Sequence, residues 1–170
     1  MAVLPIRFAG DPILRQKAHA VNKIDVSIQR LIDDMIDTLR ASRGVGLAAP
    51  QIGRSLRISV IEIPDTEDIL TLINPQIVKR SGERIVEEGC LSIPGYVAEI
   101  TRSQSVTVKA LNRHGRPLRV RAKEDMLAHA LEHEMDHLNG ILYIDYLESP
   151  DQLIKLEPAE AAAATGDESG

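Results

Sequence analysis

The spacing of apolar residues changes period twice along this chain, and that change limits the folds open to it. Over residues 25 to 40 the apolar positions are Ile28, Leu31, Ile32, Met35, Ile36 and Leu39, one face of a helix, with Asp25 or Ser27 placed to cap its start. The glycines of Gly44-Val45-Gly46 tolerate positive φ and are expected to end it. From Leu56 the period shortens. Residues 56–63 and 69–78 read as strands rich in β-branched side chains, separated by a polar turn around Pro64 to Asp68. Further strands are expected at 84–86, across 97–111 with a break, and at 118–121, the last two joined by a hairpin turn at 112–115. Helical spacing returns over 124–138, and Asn139-Gly140 stops it. Helix, several strands, helix is not the alternation of a parallel βαβ sheet. It predicts an α+β fold: mainly antiparallel sheets around a central second helix, with the N-terminal helix packed on the core.

Nothing divides the chain. Its 170 residues are 44% hydrophobic, enough for one core, and no repeat or Pro/Ser/Gly-rich linker interrupts them. Residues 1–150 read as a single domain, and the acidic, Ala-rich stretch 151–170 as a tail expected to fray, with no chemistry in it. The net charge of −5 comes mostly from that tail, which holds five acids and one lysine. The body is near neutral, with only four aromatic residues and no Trp. It lacks the basic face and stacking platforms of a nucleic-acid binder, so no direct nucleic-acid binding is expected. No apolar run approaches the ~18 residues that span a bilayer, and no signal- or transit-peptide pattern opens the chain, so no membrane is expected either. The one cysteine, Cys90, excludes an intrachain disulfide and suits a reducing compartment.

His133-Glu134-Met135-Asp136-His137 is an H-E-x-x-H inside the second helical pattern. Histidines four apart share a helix face, so both rings can reach one metal ion, and Glu134, about 100° round the helix, can touch a water there without binding the metal. A third ligand is open. The pattern H-E-x-x-H-x-x-G-x-x-H is matched as far as Gly140, but Tyr143 stands where its last His belongs. The candidates left are downstream Asp145, Glu148 and Glu157, which also read as ordinary surface acids, and upstream Cys90. His129 lies eight residues from His137, about 12 Å along the axis, so those two cannot share a metal. It reads as a residue flanking a substrate. His19 and His114 read as surface.

Three segments then fall into one register. Gly44-Val45-Gly46-Leu47-Ala48-Ala49-Pro50-Gln51, Glu88-Gly89-Cys90-Leu91-Ser92 and His133 to His137 resemble, in order and spacing, the three signature motifs of peptide deformylases. Pro5-Ile6-Arg7 and Gly10-Asp11-Pro12-Ile13-Leu14-Arg15 look like that family's N-terminus, so the resemblance covers roughly residues 1 to 150 as one catalytic domain. It implies a metal-dependent hydrolase that removes the formyl group from N-formylmethionine at the start of newly made polypeptides, releasing formate. It further implies that Cys90, His133 and His137 bind the metal, that Glu134 is the general acid/base, that Gln51 and the Leu91 N–H hold the oxyanion, and that the main chain of Val45 and Gly46 pairs with extended substrate. The ion implied is Fe(II), with Zn(II), Ni(II) or Co(II) able to replace it. Implied partners are N-formylmethionyl nascent peptides, with transient proximity to the ribosome. The implied location is cytoplasmic in a bacterium, the alternative being the mature form of an organellar protein.

The residue chemistry suits these roles. Three protein ligands leave a fourth position for water, whose pKa falls towards ~7 on a bound metal. Gln51 can donate to a developing oxyanion, where a carboxylate would repel it, and one such donor is worth ~3–4 kcal/mol of barrier. A thiolate ligand favours Fe(II), Zn or Co over Mg or Ca. Arg102 is a candidate to brace Glu88 or the cysteine. Two other readings compete. An H-E-x-x-H metallopeptidase would cleave internal peptide bonds. A non-catalytic metal-binding relative would need a fourth protein ligand and would leave Glu134 and Gln51 without a purpose.

Overall fold

A computed structural model describes residues 2–66 and 68–157 of the chain. Helix α1 spans Val26–Ser42 and begins where the Asp25 carboxylate accepts the Ile28 N–H at 3.1 Å. Its end is set by Arg43, left-handed at φ 53°, and not by the glycines that follow. A strand β1, Gly46–Ala48, runs straight into a 3₁₀ turn at Ala49–Ile52, and then β2, Ile58–Glu62. Next come β3, Ile69–Ser81, β4, Arg84–Cys90, β5, Ile93–Arg102, β6, Ser105–Leu111, and β7, Pro117–Lys123. Helix α2 follows at Met126–Leu138, and a short β8 at Ile154–Lys155 comes last.

All pairing among the described strands is antiparallel, in two sheets ordered β1-β2-β3-β6-β7 and β4-β5-β8. The expected break within 97–111 falls at Ser103-Gln104, because β5 and β6 belong to different sheets. β3 runs through Pro75, which has no N–H to give. The ladder to β6 shifts register between Ile73 and Gln76, and Asn74 takes φ 52° there. Asn74 also clasps Val21, accepting its N–H at 2.8 Å and donating to its carbonyl at 2.9 Å.

Alternation along β2 splits the core in two. Ile58 and Val60 face α1 and meet Ile28, Leu31, Ile32, Met35 and Leu39, whereas Ile61 faces the other way, into a cluster holding Leu131, Ala128 and Ala130 of α2. Burying one side chain such as Met35 or Ile32 contributes ~1.5–3 kcal/mol. A third cluster joins β5 (Ala98, Ile100) to Leu14, Leu142 and Tyr143. Helix α2 is thus central and α1 packs on the core, as the spacing predicts.

The strand pairing extends past residue 150. β8 joins β5 with Tyr96 opposite Lys155 and Val97 opposite Ile154, and the Leu156 N–H reaches the Gly95 carbonyl at 2.9 Å. The rest of the expected tail, from residue 158, lies outside the described residues.

Candidate metal centre and active site

Asp125 starts α2 by accepting the Ala128 N–H at 2.7 Å, which sets where each later side chain points. One face of the helix presents His133 and His137. Opposite it, β4 ends in an irregularity between Glu88 and Cys90, where the ladder to β5 shifts register. Cys90 Sγ lies 3.3 Å from His137 Nε2, and the two Nε2 atoms are 3.0 Å apart. All three ligand atoms fall within 4.8 Å of one another, the one such group among the described residues. These spacings are close to those of neighbouring ligands around a single ion with bonds of ~2.0–2.3 Å. A thiolate with two imidazoles is also a donor set that transition metals take. The residues fit a divalent ion.

The downstream acids do not enter. Asp145, Glu148 and Glu157 are exposed, and Asp145 binds Arg15 at 2.5 Å and the Leu142 N–H at 3.0 Å. His19 and His114 are exposed as well.

Glu88 organises the centre from behind. It is 1% exposed, and a carboxylate offers about four acceptor positions. Oε1 accepts from Arg102 Nε at 2.9 Å and from His129 Nε2; Oε2 accepts from Arg102 Nη2 at 2.6 Å and from His133 Nδ1 at 2.9 Å. Burial would raise the carboxyl's pKa, but the bonds from His129, His133 and Arg102 outweigh it and hold the group well below the usual carboxylate range. Since a carboxylate only accepts, His133 carries its proton on Nδ1, and its Nε2 lone pair faces Cys90 and His137. Of the two partners open to Arg102 in the sequence, the structure shows Glu88. Arg102 also reaches Asp136 at 2.7 Å, and Asp136 accepts the Tyr146 hydroxyl at 2.7 Å.

Glu134 is 2% exposed, and burial pushes its carboxyl up to about 7, with the His133 charge opposing. Oε1 stands 4.0 Å from His133 Nε2, and Oε2 is buried with no hydrogen-bond partner. Gln51 comes from the turn after β1 and is 1% exposed. Its Oε1 accepts the Ala48 N–H at 3.0 Å, which aims Nε2 at Ser92 Oγ (3.0 Å) and Cys90 Sγ (3.7 Å). The N-terminal segment ties this turn to the one after β4: Arg7 N–H bonds the Gln51 carbonyl at 2.7 Å and Ala9 N–H the Ser92 carbonyl at 2.9 Å.

Beside Cys90 and His133 lies a cleft of about 350 Å³, lined also by Gly46, Gln51, Leu91, Tyr96, His129 and Leu156. Val45 lines it too, but the Val45 carbonyl is taken by the Glu62 N–H at 2.8 Å. Main-chain groups alternate sides along an antiparallel ladder, so Gly46 points its own N–H and C=O off β2, towards the cleft. Glu88 as the acceptor for His133, and Ser92, Asp136 and Tyr146, were not singled out from the sequence. Glu88 had a signal, because it lies two residues from Cys90 in the segment Glu88 to Ser92.

Fold and site together have the form of a metallohydrolase centre: an H-E-x-x-H helix beside a cysteine that offers a third donor atom, set between two antiparallel sheets. The polypeptide deformylase profile matches residues 3–153, and the chain belongs to that family. It is 54% identical over 158 residues to the peptide deformylase of Dehalococcoides mccartyi strain CBDB1, covering 93% of this chain and 94% of the relative. To the Halothermothrix orenii peptide deformylase it is 51% identical over 145 residues, 85% of this chain and 94% of the relative. Among solved structures, a Legionella pneumophila peptide deformylase superposes with TM-score 0.86 at 44% identity, covering 97% of this chain and 94% of that one. The Synechococcus elongatus enzyme in complex with actinonin gives 0.83 at 37%, covering 96% and 86%.

Proposed function

We propose that Cys90, His133, His137, Glu134 and Gln51 carry out in this chain the reaction of its family, metal-dependent removal of the formyl group from N-formylmethionine at the N-terminus of newly made polypeptides, with release of formate. The observation that carries it is the convergence of one thiol and two imidazole donors beside a buried carboxylate and a buried carboxamide donor. A divalent ion held by Cys90, His133 and His137 supplies Lewis-acid activation of water at the formyl carbon. We assign that ion as Fe(II); a Cys/His/His set also accepts Zn(II), Ni(II) or Co(II).

The chain's own groups do the rest. Glu134, whose Oε1 faces His133 Nε2, takes a proton from the attacking water and delivers it to the leaving amine, which departs poorly without one. Gln51 Nε2, with the Leu91 N–H, donates to the carbonyl oxygen as charge builds there. The open main chain at Gly46, with Val45 beside it, pairs with the substrate as a short strand. We place this chemistry in the cytoplasm, close to the ribosome where formylated chains emerge. Bacterial relatives support that, and no helix among the described residues is long and apolar enough to cross a membrane.

The test is formate release from an N-formyl-Met tripeptide by protein purified anaerobically with Fe(II), alongside Glu134→Gln. Release by the wild type, lost in a variant that still holds its metal, is the expected result. No release from folded, metal-loaded wild type refutes the assignment.

A further inference from the structure

The cleft runs along α2. Met126, His129, Ala130 and His133 follow one another on the helix face that lines it, so His129 sits four residues, about 6 Å along the axis, before the donor His133. The wall around it is mostly apolar, with Tyr96, Val97, Leu156 and Met126, and His129 is one of its few polar members. Its side chain is 22% exposed on the cleft side, while its Nε2 is bonded to Glu88, which is 1% exposed. Glu88 in turn holds His133 Nδ1 through its other oxygen at 2.9 Å.

We propose that His129 is a positioning residue that touches the substrate cleft with its ring and orients the metal donor His133 through Glu88. This rests on the metal-centre reading above and adds to it a residue outside the three motifs. The physical basis is the acceptor count. Two donors fall on each Glu88 oxygen, and Arg102 occupies one position on each, so the remaining positions belong to His129 and His133. Without the His129 proton, Oε1 keeps one donor and the Arg102 fork alone sets the tilt of the carboxylate, which loosens its hold on His133. A side chain filling the cleft beside His129 packs against a ring fixed from behind, so occupancy of the recess and alignment of His133 share one support.

Two variants separate donation from packing. His129→Leu keeps an apolar wall and removes the donor; His129→Gln returns an N–H near the position of Nε2. The readout is the Co(II) dissociation constant, by competition with a calibrated chelator, together with the visible cobalt spectrum. Outer partners of metal-bound histidines commonly change affinity 10–100-fold. The expected result is a loss in that range in the Leu variant with a shifted band, and recovery of most of it in the Gln variant. With saturating Co(II), kcat for an N-formyl-Met tripeptide should fall about tenfold in the Leu variant, with KM changing far less. Equal Co(II) affinity and an unchanged spectrum in all three proteins overturn the proposal, as does a Gln variant no better than Leu. Affinity is read without substrate, so a wild type that binds Co(II) but releases no formate counts against the functional assignment and leaves this comparison standing.

Discussion

Gly46 has no side chain because Glu134 needs the space. A Cβ there would come within 2.7 Å of Glu134 Oε1 and 3.0 Å of its Cδ, and the carboxylate is buried, with little room to retreat. Gly46→Ala should therefore fold normally by circular dichroism and lose about tenfold or more in kcat, since displacements of ~1 Å cost up to 10²-fold. Gln51→Leu removes a donor and should lower kcat ~10²–10³-fold with metal content unchanged by atomic absorption. Arg102→Ala leaves buried Glu88 without its cation and should cost ~3–5 kcal/mol in urea unfolding. These residues differ in how readable they are. His133, Glu134 and His137 announce themselves by spacing, whereas Cys90 is set apart from the downstream acids only by the resemblance of residues 88–92 to a family motif. Ser92 and Tyr146 carry no such mark: each reaches the site through long-range contacts, Ser92 Oγ to Gln51 and the Tyr146 hydroxyl to Asp136.

The elements repeat that division. Both long helices are legible from an apolar stripe, which at α1 agrees with the Asp25 cap; α2 starts at Met126 behind Asp125, two residues inside the expected 124–138. β1 carries no strand signal of its own: three residues, one a glycine, show too little alternation, and only pairing with β2 makes them a strand. β4 was cut short at Val86 because the polar Glu87 and Glu88 follow, although Glu88 is buried by the charges that face it. At α1 the cap itself titrates. The Ser27 hydroxyl, then the Ile28 N–H, hold the Asp25 carboxyl below its usual value. A group whose folded pKa is depressed stabilises above its unfolded pKa, near about 4, and loses that contribution as pH falls through the lower folded value. The thermal midpoint of Asp25→Asn should therefore fall less between pH 5 and pH 2 than that of the wild type, measured by circular dichroism (pH values about these).

For the whole molecule, the donor set links two bodies of structure, since Cys90 comes from the small sheet and the histidines from the helix under the large one. An ion bound there stabilises the docked arrangement by mass action. Stripping it with a chelator should lower Tm, and readdition of Fe(II) or Zn(II) should restore it, in a calorimetric scan under argon. The α+β class and the order of the longer elements are legible from period alone, whereas β1 and β8 are not. The split into two sheets was not, because nothing local in residues 97–111 says that the chain changes sheet at Ser103.

One consequence lies in the sheet orders. β1 and β4 are each the outermost strand of their own sheet, and both border the cleft through Gly46 and Cys90. An outermost strand recognises any extended backbone, whatever side chains that backbone carries. A catalyst that grips its client in this way can be strict about the first residue and indifferent to those that follow. If Gly46 pairs with the substrate as proposed, one such site serves many unrelated polypeptides, and a deformylated product, which keeps the same backbone, competes for the same berth.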